Sequence, residues 1–303
     1  MSRGDGAKSM SAGSVCLTFD FDAVSLWVSR GMRTPAPVSR GEFGPVAVPR
    51  ILELLGARSI PTTWFIPGHT IETYPEVCQE VVDAGHEVAL HGYAHENVAL
   101  LRENEEREVF KTSYALLGEF AGRAPRGFRA PAWDLSSNTI EIMGDLGLEY
   151  DSSLMGHDYS PYYSRVGDEI PTDGPMRLGA ESNVVEVPVS WTLDDYPHFE
   201  FVRMANAVMP GLKPPQELFD RWTDELHYML RDFENGVVTY TCHPQVIGRG
   251  HRMLGLEAWL DELAMLDVRY CRVAEVAAEF SSGVDFGEYR PASGKRRDGT
   301  DAH

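Results

Sequence analysis

Short buried apolar runs alternate with helical patterns from residue 15 to residue 270, and this alternation predicts one parallel α/β domain of barrel type. Two further observations support that class. At 303 residues and 43% hydrophobic content, the chain can fill one large core, as an α/β barrel or as two smaller domains, and no linker-like stretch divides it. Residues able to do chemistry follow directly on apolar runs, which is where the reactive groups of such barrels lie. Neither G-x-x-x-x-G-K-S/T nor G-x-G-x-x-G occurs, so both nucleotide fingerprints are missing.

The first run, Val15-Cys16-Leu17-Thr18-Phe19-Asp20-Phe21-Asp22, reads as a buried strand that ends in two carboxylates. Residues i and i+2 on a strand point the same way, so Asp20 and Asp22 face one site together. A desolvated carboxylate is costly unless it is paired, hydrogen-bonded or bound to a cation; the plain alternative is a strand-end turn with two solvated acids. A Gly- and Pro-rich loop at 31–44 follows, in a region carrying Trp27, Arg30, Arg33 and Arg40. Helical spacing of Val48, Ile51, Leu54 and Leu55 predicts a helix over 45–56.

Strand two spans 61–66 and stops at Pro67-Gly68; a helix over 71–84 ends at Gly85. Strand three, 86–90, runs straight into His91-Gly92-Tyr93-Ala94-His95. A long charged helix covers 100–120, and a fourth strand, 127–130, stops at Pro131. A helix over 137–146 takes Ser136 or Ser137 as its cap, and a fifth strand begins at 148–151. Residues 156–181 read as a long irregular insert rich in Tyr, Gly and Pro, and inserts of that length usually serve function. Strand six, 184–188, leads to Trp191, Asp194 and Asp195 and into a second long loop reaching 215. An amphipathic helix (216–234), strand seven (237–242) closed by His243-Pro244, a helix (254–266) and a short strand (268–270) complete the series.

The balance of 27 basic against 46 acidic residues, net −19, repels nucleic acid and anionic membranes, and no basic patch interleaved with aromatics offsets it. The first fourteen residues are polar and lack the apolar run of a signal peptide, and no stretch is long and apolar enough to span a bilayer. Cys16, Cys78, Cys242 and Cys271 are scattered without a C-x-x-C and read as small buried hydrophobes. The expectation is a soluble, reduced, cytoplasmic protein with a flexible N-terminus (1–13), a barrel domain (14–284) and a flexible C-terminal tail (285–303).

Asp20, Asp22, His91, His95, Arg129, Trp191, Asp194 and His243 all fall at strand ends. One carboxylate and two imidazoles make a facial set for a single divalent metal with open positions for water and substrate; zinc fits best, with nickel, cobalt or iron as alternatives. A His pair in a polar loop is otherwise simply solvated. The spare carboxylate, Asp20, then lies beside the metal-bound water, where a general base belongs. Arg129 would hold that acid ionised through charge-assisted hydrogen bonds, unless it is a surface arginine. His243, across the barrel, would protonate the leaving amine, unless it is a satisfied strand-end histidine.

These residues resemble the polysaccharide deacetylases of carbohydrate esterase family 4, the NodB homology domain. Thr18-Phe19-Asp20-Phe21-Asp22 is similar to the family's Thr-Phe-Asp-Asp with one residue inserted. His91-Gly92-Tyr93-Ala94-His95 is similar to its His-Ser/Thr-x-x-x-His with Gly for the hydroxyl residue, Arg129-Ala130-Pro131 to its Arg-x-Pro, and 238–243 to its hydrophobic strand ending in His. The resemblance implies a distorted (β/α)7 TIM-like barrel of NodB type and metal-dependent removal of an N- or O-acetyl group. It implies Asp22, His91 and His95 as ligands, Asp20 as base, Arg129 as its partner and His243 as acid; Pro131, Trp133, Trp191 and Asp194 are expected against substrate. Ala132-Trp133 stand where an aromatic and then Gly are usual, and Trp191, Asp194 and Asp195 only loosely represent the motif that supports the acid. Asp194 and Asp195 are equal candidates for that support.

The Asp-Phe-Asp-Ala form is similar to a cytoplasmic branch of peptidoglycan-deacetylase-like, allantoinase-like and cyclic-imidase-like proteins. Three readings follow. The first is a metal-dependent hydrolase of non-peptide C–N bonds, foremost a deacetylase of N-acetylglucosamine or peptidoglycan-type polysaccharide. The second is a hydrolase of small cyclic amides or ureides. The third is a non-catalytic carbohydrate binder, against which the presence of both Asp20 and His243 argues. The two long loops are expected to roof a closed, small-molecule-sized pocket lined by Trp133 and Trp191, or to carry contacts of a homo-oligomer.

Overall fold

The computed structural model describes residues 13–203 and 207–291. Its strands are β1 (Gly13–Asp20), β2 (Thr63–Ile66), β3 (Glu87–Leu90), β4 (Gly127–Phe128), β5 (Tyr150–Asp151), β6 (Tyr162–Val166), β7 (Ala180–Glu186), β8 (Val202–Arg203), β9 (Val208–Met209), β10 (Phe233–Glu234), β11 (Gly236–Cys242), β12 (Val268–Tyr270) and β13 (Glu288–Tyr289). Its helices are α1 (Ser25–Ser29), α2 (Pro35–Gly41), α3 (Phe43–Arg58), α4 (Gly68–Thr73), α5 (Pro75–Asp83), α6 (Glu103–Ala121), α7 (Thr139–Asp145), α8 (Tyr196–Phe199), α9 (Pro215–Asp232), α10 (Pro244–Ile247), α11 (Gly250–Leu263) and α12 (Val273–Ser281).

Strands β11, β1, β2, β3, β4, β5 and β7 lie side by side in that order, all parallel, with β6 antiparallel on the far edge of β7. This is the distorted (β/α)7 barrel expected from the sequence, curled but unclosed: β7 and β11 are not paired, and the seam between them is crossed by an isolated parallel bridge of Asp194 with Thr241. Every residue of β1 and β11 is buried, as a parallel strand covered on both faces requires. Register aligns Phe19 with Cys242, so Asp20 and His243 leave adjacent strands in step. Gly127 is needed where it stands, because a Cβ there would collide with the Tyr150 ring.

Four expectations need correction. The Gly- and Pro-rich stretch after Asp22 is partly helical, as α1 and α2, with Leu26 and Trp27 buried. The helix expected over 71–84 is two, because Pro75 has no N–H to continue the first and instead opens the second. α7 starts at Thr139 with no side-chain cap; the Ser136 hydroxyl instead accepts from the Asn138 amide and donates to Glu106. The 156–181 insert is not irregular: it carries β6, whose Tyr162 pairs with Glu186 and whose Val166 pairs with Ala180. Its tip therefore lies at the N-terminal end of the parallel sheet, away from the strand ends that carry the chemistry.

Of the expected flexible ends, Gly13 already belongs to β1, and β13 pairs antiparallel with β10. The rest of both ends, 1–12 and 292–303, lies outside the described residues.

Candidate active site

Asp22 sits two residues past β1, on a backbone carbonyl that accepts from the Ser25 amide (3.0 Å), the Ser25 hydroxyl (2.6 Å) and the Thr70 hydroxyl (2.7 Å). Its side chain is buried, and Oδ1 has no hydrogen-bond partner. Around that oxygen stand His91 Nε2 at 3.3 Å and His95 Nε2 at 3.6 Å. His91 follows β3 directly, and its Nδ1–H donates to the Arg129 carbonyl at 2.7 Å, which leaves the Nε2 lone pair aimed at Asp22. Ligand atoms about 2.1 Å from one ion lie roughly 3.0–3.5 Å apart, so an orphaned buried oxygen and two imidazoles at these separations fit a cation. Burial pushes the Asp22 carboxyl up, but His95, His91 and His243 outweigh it and hold it below the usual carboxylate range. Burial pushes His95 down to about 4, with Asp22 opposing and His91 and Arg30 adding to the shift.

His95 reaches this position with φ at +61°, in the left-handed region that polar residues tolerate best. The turn before it depends on Gly92, at φ +68°, where a Cβ would meet the Glu96 carboxylate at 2.9 Å. Glu96 fills that space because it accepts from the Tyr93 and Ala94 amides, which explains Gly in place of a hydroxyl residue.

Asp20 ends β1, with Oδ2 3.9 Å from His91 Nε2. Its Oδ1 accepts from Arg129 Nη1 at 2.8 Å. Arg129 is fully buried and also donates to the Thr18 hydroxyl and to the carbonyl and hydroxyl of Ser152, with its guanidinium 4.1 Å from the Phe65 ring centroid.

His243 follows β11. Its Nδ1–H donates to Asp195 Oδ1 at 2.8 Å, while Asp194 Oδ1 stands at 3.5 Å and accepts from the Tyr196 amide. Asp195 is thus the partner of this histidine, and both its oxygens also accept from the His243 backbone amide. Asp194, Asp195 and His243 also lie close enough to share an ion, but these hydrogen bonds already occupy Asp195 and Nδ1. Burial works against the imidazolium, yet Asp194 and Asp195, with Asp22, hold its proton well above the usual histidine range. Burial also pushes Asp194 up to about 7, Asp195 and Asp20 adding to the shift against His243. Nε2 lies 3.7 Å from Asp22 Oδ2.

These groups border a cavity of about 230 Å³. Trp133 and Trp191 stack on one another in its wall, centroids 4.4 Å apart, as expected of both. Ala132 and Trp133 take φ of +61° and +50°, so Trp133 adopts the left-handed conformation at the position where Gly is usual. Pro131 is buried outside the lining and Ala132 takes its place. The 193–215 loop contributes Asp194, Tyr196, Pro197 and Met209, but no residue of 156–181 lines the cavity, so only one of the two expected loops covers it. The sequence reading missed Leu26 and Arg30 beside the site, along with Tyr196 and Met209. Leu26 and Arg30 are near Asp22 in sequence, within a stretch read as loop, whereas Tyr196 and Met209 carried no motif.

A sequence profile described as Polysaccharide deacetylase matches residues 7–150. The chain is 36% identical over 275 residues to a peptidoglycan deacetylase of Helicobacter pylori, covering 86% of this chain and 94% of that one. It is 30% identical over 296 residues to a peptidoglycan deacetylase-like protein of Gibberella zeae, covering 88% and 86%. A crystal structure from Mycobacterium smegmatis assigned to the polysaccharide deacetylases superposes with a TM-score of 0.79 at 32% identity, covering 93% of each chain. An allantoinase crystal structure shares the fold, with a TM-score of 0.73 at 19% identity over 91% of this chain and 92% of that one. With its strand order, its orphaned Asp22 beside two histidines and these relatives, the chain belongs to the polysaccharide deacetylase family.

Proposed function

We propose that this protein is a metal-dependent hydrolase of non-peptide C–N bonds that removes the N-acetyl group of an acetylated amino sugar of the peptidoglycan type. The observation that carries the reading is the buried, unpartnered Asp22 Oδ1 facing His91 and His95. Asp22, His91 and His95 would hold a divalent ion, zinc best by their nitrogen and oxygen atoms, and it would supply Lewis-acid activation of the amide carbonyl and of a water. Asp20 serves as general base toward the attacking water, and the Arg129 guanidinium aims its carboxylate. His243 gives a proton from Nε2 to the leaving nitrogen: Asp195 accepts from Nδ1–H and orients the ring, and the neighbouring carboxylates favour the imidazolium, which carries the Nε2 proton. Trp133 and Trp191 present an aromatic wall suited to the apolar face of a sugar ring. Four free, buried cysteines support a reduced, cytoplasmic setting, and no helix among the described residues is long and apolar enough to cross a membrane.

A second reading, cleavage of a small cyclic amide or ureide, is favoured by the cavity's size. About 230 Å³ lies below the span of roughly 300–1,000 Å³ usual for drug-sized ligands, and suits one ring better than a polymer. A panel of acetylated chito-oligomers and muropeptides against hydantoins, imides and allantoin, with zinc supplied, separates the two. Acetate release from the sugars supports the first reading, and cleavage of the cyclic amides alone overturns it for the second.

A further inference from the structure

We infer that Arg30 reads a carboxylate on the substrate, so that the amide cleaved here belongs to an anionic molecule; this rests on the hydrolase reading above. Arg30 follows α1, anchored by buried Leu26 and Trp27, and it borders the cavity. Among the described residues of that lining it is the only arginine or lysine, against the carboxylates Asp20, Asp22 and Asp194.

Its position is fixed without using up its charge. Nη1 donates to the Tyr196 hydroxyl at 2.8 Å, and the guanidinium carbon lies 5.4 Å from the Tyr196 ring centroid and 5.9 Å from that of Trp27. Among the described residues no carboxylate pairs with it, whereas nearby Arg40 and Arg252 both pair with Glu200. In a chain with 46 acidic residues and net charge −19, a held arginine left without an acid at a cavity wall is a conspicuous departure. A guanidinium has five N–H donors in a rigid fork, and one is used here, so the rest can receive a carboxylate two at a time.

The placement also says where that carboxylate sits. The Tyr196 ring that holds Arg30 lies 5.3 Å from the His243 ring, on the side of the leaving nitrogen in the proposed reaction. The anionic group therefore belongs to the amine part of the substrate and not to the acyl group removed. The shared chemistry is a carboxylate near an acylated nitrogen, and it can be carried by an acidic amino sugar or by a carboxymethyl-substituted cyclic amide.

Two matched pairs distinguish the sources: N-acetylmuramic acid against N-acetylglucosamine, and hydantoin-5-acetic acid against 5-methylhydantoin. With zinc-loaded protein, kcat/KM should favour the acidic member of the hydrolysed pair by about tenfold, the usual size of a partly exposed charge-assisted hydrogen bond. Arg30→Gln should bring that ratio close to one, Arg30→Lys should keep part of it, and raising the salt should erode it in the wild type. Calorimetric affinities of the same four compounds should show the same ratio without turnover. A wild type that prefers the neutral members, or an Arg30→Gln protein with the ratio unchanged, overturns the assignment. If neither pair is hydrolysed, the hydrolase reading is decided by the oligomer and cyclic-amide panel above, and the calorimetric ratio still decides Arg30. If Arg30→Gln does not fold, the lysine variant and the wild-type salt series decide it.

Discussion

Replacing Arg129 by methionine probes the energetics beneath the site. Arg129 holds Asp20 Oδ1 and the Thr18 hydroxyl at 2.8 Å each, the Ser152 carbonyl at 2.9 Å and the Ser152 hydroxyl at 3.0 Å, all out of water. Methionine keeps most of the stem's volume, so little is lost in packing. The main cost is Asp20, left as an uncompensated buried carboxylate, and removing one partner of such a pair costs about 3–5 kcal/mol. The two abandoned Ser152 acceptors add on the order of 1–2 kcal/mol. At roughly 2 °C per kcal/mol for a chain of this size, the melting temperature should fall by about 10 °C. Asp20→Asn removes the stranded charge, so the double variant should lose less than the sum of the singles, by about 2–3 kcal/mol. Thermal and urea midpoints with chelator present measure this independently of any bound metal. An Arg129→Met protein that melts within 2 °C of wild type, or strict additivity of the pair, would refute the reasoning.

Three other outcomes follow from the same geometry. The His91→Ala, His95→Ala protein should lose bound metal and activity together, and full occupancy by elemental analysis would sink the ligand assignment. Asp20→Asn should keep its metal and lose about 10²–10⁴-fold in turnover, the usual cost of a missing base, and near-normal activity would transfer that role to another group such as Asp194. Asp151 and Glu186 are buried opposite one another on β5 and β7; burial pushes Asp151 up to about 6 and Glu186 upward too, the Asp151 charge adding to the latter. Both folded values exceed the unfolded ones of about 4, so the pair's contribution is present below that pH and is lost as pH rises through about 6. Glu186→Gln should flatten urea midpoints between pH 4 and 7, and an unchanged slope would argue against the pair.

The parts of the site legible in the sequence are those fixed by one local rule. Asp20, His91, Arg129 and His243 each follow an apolar run, and a parallel barrel gathers the ends of such runs whatever the loops do. What escaped depends on contacts between distant residues. Asp195 rather than Asp194 holds His243 because the bridge of Asp194 to Thr241 sets the register there, and two adjacent acids look alike without it. The 156–181 insert looks like a roof in the sequence because its pairing with β7, which carries the tip to the opposite end, is non-local. Arg30 and Leu26 carry no signal of their place because Gly31 and the nearby prolines suggest a loop, whereas burial of Leu26 and Trp27 makes the helix. The left-handed backbone at His95, Ala132 and Trp133 has no sequence signal, since none of these is glycine.

The open seam between β7 and β11 ties two properties together that an engineer would prefer to vary separately. The chain that spans it carries Tyr196, Pro197 and Met209 into the cavity and also carries Asp195 to His243. It is held to the sheet by the Asp195 amide on the Thr241 carbonyl at 3.0 Å. Opening of this stretch needs no strand of the barrel to part, so the Asp195 amide should exchange with deuterium before those of β1, and exchange as slow as β1 would show the seam to be rigid. Each opening would both widen the cavity and wet the proton donor. Lengthening this loop to admit a longer substrate would therefore detune the acid. Trp133 sits on a turn bonded to the Ala130 carbonyl at 3.0 Å, off the seam chain but stacked on its Trp191, so capacity can be altered there with the proton donor left in place only by a side chain that still packs on Trp191.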